Sequence, residues 1–296
     1  MTGFICIDKP ENMTSFTAAN LVKRITGSKK AGHTGTLDPM ATGVLTVALS
    51  GATRFIELIP DHEKSYTARI LLGVTTDTLD ITGTITGSFP VSVTPCEAKE
   101  AALSFYGEQL QTPPMYSAVS KDGVRLYDLA RQGKEIEREK LKINITEIRA
   151  YDFSDNEFSL DVTCSAGTYI RSLADDIGKK LGCGAVLKSL RRTRANGFST
   201  DDCITIEKLR EICENGELGN YVMPVSRVLS QYKEVHVTAA QAVRFKNGGE
   251  LFLDRIGNPK GDGFFRVFSP ENEFLGIGEK NVETGCLAVK RVLQGE

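Results

Sequence analysis

Alternation of period two constrains this 296-residue chain more than any other feature. Tyr66, Ala68, Ile70 and Leu72 alternate with Thr67, Arg69 and Leu71, and Phe158, Leu160, Val162 and Cys164 alternate with polar residues. Successive side chains of a strand point to opposite faces, so both stretches read as strands with one face on a core. Residues 3–8 and the apolar run 44–49 read as further strands. Helical periods lie between them. Phe16, Ala19, Val22 and Ile25 recur near 3.6, with Thr14 or Ser15 as cap and Gly27 as stop. Residues 98–105 and 206–213 also read as helices, and Thr168 is placed to cap one running to Leu181.

Residues 32–45 read Gly-His-Thr-Gly-Thr-Leu-Asp-Pro-Met-Ala-Thr-Gly-Val-Leu, three glycines around one carboxylate, Asp38. Pro39 pushes the residue before it into extended backbone, so Asp38 stands on a stiff turn anchored by the following strand. A positioned catalytic group needs that stiffness, although an ordinary surface turn has the same local composition. Arg171 falls in the first turn of its helix, where a cation opposes the helix dipole unless a carboxylate meets it. Asp38 is one partner and Asp175, four residues on, is another.

With 41% hydrophobic and 25% charged residues the chain reads as soluble and globular, enough for one large domain and a small one. No run of eighteen apolar residues and no charged-then-apolar leader occurs, so no membrane span or secretory signal is expected and the cytoplasm is the expected compartment. Cysteines 6, 96, 164, 183, 203, 213 and 286 contain no Cys-x-x-Cys pair and read as small hydrophobes. His33, His62 and His236 are too dispersed for a local zinc signature, and no metal is expected. Asp77 and Asp80 could hold magnesium, but a Thr-Asp-Thr turn bonded by its own side chains is the preferred reading.

A net charge of −2 gives no global sign of nucleic-acid binding, yet the cations cluster. Lys23, Arg24, Lys29 and Lys30 lie in an acid-free stretch, and residues 188–194 carry four cations, including Arg191 and Arg192. Brought to one face, the two runs form a phosphate-binding surface; apart, they are solvated faces. Lys121, Arg125, Tyr127, Arg131 and Lys134 mix cations with aromatics, as surfaces for single-stranded RNA do, or they form a plain amphipathic helix over 124–131 stopped by Gly133.

The 32–45 loop, Ile7-Asp8-Lys9-Pro10, Lys64-Ser65-Tyr66 and Gly167-Thr168-Tyr169-Ile170-Arg171 together closely resemble the bacterial TruB family of tRNA pseudouridine synthases, in order over most of residues 3–295. That family usually has glycine where this chain has Asn12, and asparagine tolerates the left-handed turn that glycine allows. The resemblance implies an α+β fold. A pseudouridine synthase catalytic domain over 1–230 is built on a central mixed, largely antiparallel sheet with flanking helices, and an RNA-clamping insertion at about 114–142 closes over the tRNA loop. Beyond a boundary near 230, residues 235–238, 263–268 and 274–279 read as short strands of a small all-β unit, and by resemblance 231–296 is a PUA-like RNA-binding domain with its one helix and turn at 241–249.

The resemblance further implies isomerisation of uridine 55 in the T loop of tRNA. Asp38 is then the catalytic aspartate, and Tyr66 stacks on the flipped base and is a candidate to take a proton from the sugar. His33 fills the vacated space, Tyr169 and Leu190 lie against the base, and Arg171 keeps Asp38 ionised. Lys9, Arg191 and Arg192 complete the expected substrate contacts. The bond from C1′ to N1 is exchanged for one to C5 without hydrolysis or redox change, so no cofactor is expected. Nor is an obligatory protein partner, and a monomer is expected. A non-catalytic RNA-binding or tRNA-folding module, and a synthase using a guide RNA with partner proteins, are the rival readings.

Overall fold

The computed structural model describes residues 1–59, 63–117, 120–121, 124–134 and 136–294, without the side chains of 120, 121, 124, 125, 128 and 131. His62 and the side chains of Lys121, Arg125 and Arg131 therefore lie outside the described residues. The chain begins with β1 (Gly3–Lys9), α1 (Ser15–Ile25), β2 (Ala31–His33), β3 (Thr42–Leu49) and a 3-10 helix (Ser50–Leu58). It continues through β4 (Lys64–Leu72), the hairpin β5 (Val74–Thr76) and β6 (Ile85–Ser88), α2 (Pro95–Leu103) and β7 (Gly107–Gln111). A small excursion holds β8 (Ser120–Lys121), β9 (Val124–Arg125) and α3 (Leu126–Arg131). Then come β10 (Leu141–Ser154), β11 (Glu157–Cys164), α4 (Ile170–Leu181), β12 (Ala185–Ala195), β13 (Phe198–Ser199), α5 (Ile206–Glu214) and α6 (Val225–Val228).

Nine of these strands form one sheet, in the order β1, β3, β12, β4, β11, β10, β7, with β2 beside β3 and β13 beside β12. Its pairings are antiparallel except β12 with β3, where Arg191 faces Thr42. The alternating stretches fall where the sequence places them: β4 buries Tyr66, Ala68, Ile70 and Leu72, and β11 buries Phe158, Leu160, Val162 and Cys164. Their shared face packs against α2 and α4 in the largest core. A second core joins Ile5, Ile7, Leu45 and Val47 to α1 and α5.

Two local expectations change. Helix α1 is capped by Thr14, whose side chain accepts from Thr17 N at 3.0 Å. Its buried stripe is Ser15, Ala18, Ala19 and Val22, and Phe16, on the neighbouring face, is 72% exposed. Thr168 does not cap α4: its hydroxyl donates back to Ser165 O at 2.9 Å, which leaves Tyr169 as the cap residue. Asn12 adopts φ +61 and Gly27 φ +64, the left-handed conformations these positions require.

The second sheet comprises β14 (Lys233–His236), β15 (Leu251–Phe252), β16 (Phe264–Phe268), β17 (Phe274–Asn281) and β18 (Cys286–Val292), with α7 (Ala239–Lys246) beside it. Phe55 of the 3-10 helix meets Phe274 at a ring distance of 6.0 Å within a core that also holds Phe4, Val225 and Leu229. Arg266 donates to the carbonyls of Ser226, Ser230 and Tyr232, so a guanidinium from the second sheet binds the connecting segment.

Candidate active site

A cleft of about 860 Å³ opens where the 32–42 loop, the start of α4, β4 and β12 converge, and Asp38, Arg171, Tyr66, Tyr169, Leu190 and His33 all line it. The sequence scatters these six over more than 150 positions, and the sheet order brings them together. Arg171 grips Asp38 with two prongs, Nε to Oδ2 at 2.9 Å and Nη2 to Oδ1 at 3.1 Å. Asp175 pairs instead with Lys179 at 2.6 Å, so of the two partners open to Arg171 the distant one is realised. The Arg171 side chain is 6% exposed and also donates to Thr78 O at 3.0 Å and Tyr116 O at 2.8 Å. A planar, permanently charged fork suits this arrangement better than an ammonium.

The stiffness expected of the Asp38 turn has a specific origin, because every carbonyl from 35 to 39 is engaged. Arg192 donates to Gly35 O and Thr36 O, Ser15 Oγ to Leu37 O, Ala41 N to Asp38 O, and Lys9 Nζ to Pro39 O. Ser15 Oγ also accepts from Leu37 N at 2.7 Å. Gly43, at φ +99, lets the loop leave against β12, since a Cβ there would overlap the Arg192 carbonyl.

Three cations expected as substrate contacts have partners inside the protein. Lys9 is fully buried and donates to Pro10 O, Met13 O and Pro39 O at 2.9, 2.6 and 3.2 Å. It braces the turn from inside. Burial pulls its ammonium down to about 8, with Asp38 opposing. Arg192 is 1% exposed and donates to Val44 O, Thr36 O and Gly35 O. Arg191 is half-buried in a two-pronged pair with Asp8 at 2.8 and 3.0 Å. The distal basic run is thus a strand that places its arginines on internal carbonyls and an acid, with Arg194 left exposed.

Burial, the largest cause, raises the Asp38 carboxyl above its usual range; Arg171 pulls it back and Asp80 pushes it up again. The expected ionising influence of Arg171 is present and is outweighed. Tyr66 is pushed up to about 12 by burial, against the lowering influence of Arg192 across the strand pair. Tyr169 is raised by burial, and His33 is lowered by burial and Arg192, with its Nδ1 buried and without a hydrogen-bond partner among the described residues.

Sequence reasoning missed three contributors. Asp80 sits in the turn bonded by its own side chains, accepting from Thr78 and Thr82, but its other oxygen lies 3.7 Å from Arg171, making it a second carboxylate on the same guanidinium. Gln111 clamps the cap of α4 on both sides, accepting from Tyr169 N at 2.8 Å and donating to Tyr169 O at 3.1 Å. Ser15 was legible only as a helix start. Phe16, Lys64, Tyr116 and Tyr127 complete the cleft walls, the last two from the excursion that follows Pro114. Among the described residues no His/Cys/Asp/Glu cluster could hold a metal ion, and no helix is long and apolar enough to cross a membrane.

Solved structures share this fold. A Cbf5-Nop10-Gar1 complex superposes with a TM-score of 0.74 at 25% identity over 99% of this chain and 85% of that one, and an archaeal box H/ACA sRNP Nop10-Cbf5 complex with 0.73 at 23% over 99% and 86%. Family profiles of pseudouridylate synthases match along the chain and set its class. "TruB family pseudouridylate synthase (N terminal domain)" covers residues 23–170, "tRNA pseudouridylate synthase B C-terminal domain" 171–230, and "Pseudouridine synthase II TruB, C-terminal" 234–293. The tRNA pseudouridine synthase B of Clostridium tetani is 41% identical over 96% of this chain and 97% of its own, and that of Azoarcus sp. 41% over 98% and 94%. The chain belongs to the TruB family. It is an isomerase that makes pseudouridine from uridine in tRNA.

Proposed function

We propose that the target is uridine 55 in the T loop of tRNA and that Asp38 is the catalytic carboxylate. The observation that carries this reading is the two-pronged Asp38–Arg171 pair at the floor of a cleft walled by Tyr66, Tyr169 and Leu190. Breaking C1′–N1 and joining C1′ to C5 releases the C5 hydrogen as a proton and returns a proton to N1. Atoms and electrons balance without cofactor, metal or water. The Asp38 side chain is 33% exposed, so its oxygens face the cleft while Arg171 holds their plane. Burial makes the carboxylate more basic than one in water, which favours attack on the sugar or base and later proton transfer.

Extruding a base costs a few kcal/mol, which stacking on Tyr66, with Tyr169 and Leu190 against the other side, offsets. His33, neutral and with an unpartnered Nδ1, suits the vacated space in the RNA. Tyr66, pushed up to about 12, is a neutral phenol at ordinary pH, which supports stacking more than removal of a sugar proton. Residues 1–230 act as the catalytic domain, the excursion at about 114–142 as a clamp and 231–296 as a PUA-like RNA-binding unit. The clamp reading is supported by Tyr116 and Tyr127 on the cleft and by the bond from Arg171 to Tyr116 O. The chain works as a cytoplasmic monomer without an obligatory protein partner. Mapping pseudouridine by carbodiimide adducts on unmodified tRNA incubated with the isolated chain tests this. Modification at position 55 alone is expected without guide RNA or added metal, and modification elsewhere, or only with a guide or second protein, contradicts it.

A further inference from the structure

The basic run at residues 23–30 takes no part in the catalytic cleft, yet the fold connects it to a second concavity. Lys29 and Lys30 immediately precede β2, whose last residue is His33 in the cleft. Lys30 O accepts from Ser50 N at 2.8 Å, at the first residue of the 3-10 helix Ser50–Leu58. That helix contributes Arg54 and Glu57 to a cleft of about 830 Å³ whose opposite wall belongs to the second sheet: Lys246 at the end of α7, and Lys290 and Arg291 on β18. Four cations thus face one carboxylate across the junction of the two sheets.

Two of the four are held by acids outside the lining, Lys246 by Glu273 at 2.9 Å and Lys290 by Glu279 at 3.0 Å. Arg54 is exposed and makes no ion pair among the described residues, and Arg291 stands 4.0 Å from Glu57. A guanidinium without an ion pair, Arg54, and one held only by a long pair at 4.0 Å and a bond to Lys290 O, Arg291, are suited to phosphate oxygens, which guanidiniums bind in a charge-assisted and two-pronged manner.

We propose that this inter-sheet cleft holds the sugar-phosphate backbone of the tRNA substrate outside the stem-loop that carries the target uridine, with Arg54 and Arg291 as phosphate contacts. This rests on the reading that a tRNA loop enters the catalytic cleft at His33. The emerging RNA then runs past Lys29 and Lys30, which the Ser50 N to Lys30 O bond ties to the start of the 3-10 helix that carries Arg54. Glu57 is the counter-charge that a phosphate displaces.

Two substrates separate this role from catalysis: full-length unmodified tRNA, and a hairpin containing only the target stem and loop. The double variant Arg54→Ala, Arg291→Ala is expected to weaken binding of full-length tRNA at least fivefold. The slope of log affinity against log salt becomes shallower by about 0.7–0.9 for each phosphate that the protein no longer neutralises. Turnover and KM on the hairpin stay at the wild-type values. Glu57→Gln is expected to act in the opposite direction, tightening full-length binding and steepening the slope. Full-length binding unchanged in both variants, or an equal loss on the hairpin, overturns the assignment. Absence of pseudouridine from the wild-type chain on either substrate overturns the functional reading beneath it instead.

Discussion

Asp38 is held between opposing influences, and their signs predict how the enzyme responds to acid. Burial and the charge of Asp80 raise its pKa, whereas Arg171 lowers it. With ionised Asp38 as the proposed acting group, activity is expected to fall on acidification through a midpoint above that of an ordinary aspartate. Asp80→Asn removes one raising cause, so the acid limb of kcat/KM is expected to move to lower pH while the rate itself drops, Arg171 having lost a flanking carboxylate. A pH profile of the variant checks this, and an acid limb that stays or moves upward contradicts it. The Asp38–Arg171 pair was legible because a cation in the first turn of a helix needs an acid to meet it. Asp80 was not legible in that role. The nearby Thr78 and Thr82 account fully for one oxygen, and only the fold places the other beside a guanidinium from 91 residues away.

At the scale of elements, the loop that carries Asp38 lacks regular structure and is held by side chains from other elements. Ser15 serves both polar groups of Leu37, next to Asp38, from the first turn of α1. Ser15→Ala leaves a buried N–H and C=O unsatisfied, expected to destabilise the fold by about 1–3 kcal/mol and to lower kcat more than it raises KM. Thermal unfolding and steady-state kinetics on the same preparation check this, and wild-type values in both would show the loop to be braced elsewhere. Strands β4 and β11 were readable because one face meets a core and the other does not, which gives a period of two. Strand β12 was not. It carries lysine and arginine where apolar residues are expected, buries Arg192, and has register shifts at Leu187/Ser189 and Arg192/Arg194 that break the alternation. Strand β10 shows a similarly interrupted pattern, with shifts against β11. In α1, a stripe chosen by hydrophobicity included Phe16, which the fold turns outward onto the cleft rim.

For the molecule as a whole, a nearly neutral chain handles a polyanion by distributing its cations unevenly. Some, such as Lys9 and Arg192, shape the catalytic loop from inside, and others, such as Lys29, Lys30 and Arg54, lie on the surface between the two clefts. Sequence shows where cations cluster but not which are buried, because a strand face is polar or apolar only with respect to its neighbours. The central claim is that one carboxylate, fixed by Arg171 beneath an extruded uridine, performs the isomerisation while the rest of the surface binds RNA. Its most direct test is tritium release from tRNA labelled at uridine C5, measured for the wild-type chain and Asp38→Asn beside the affinity of each for the same tRNA. The account predicts stoichiometric release by the wild type, none by the variant, and affinities within a few-fold of each other; release by Asp38→Asn would contradict it.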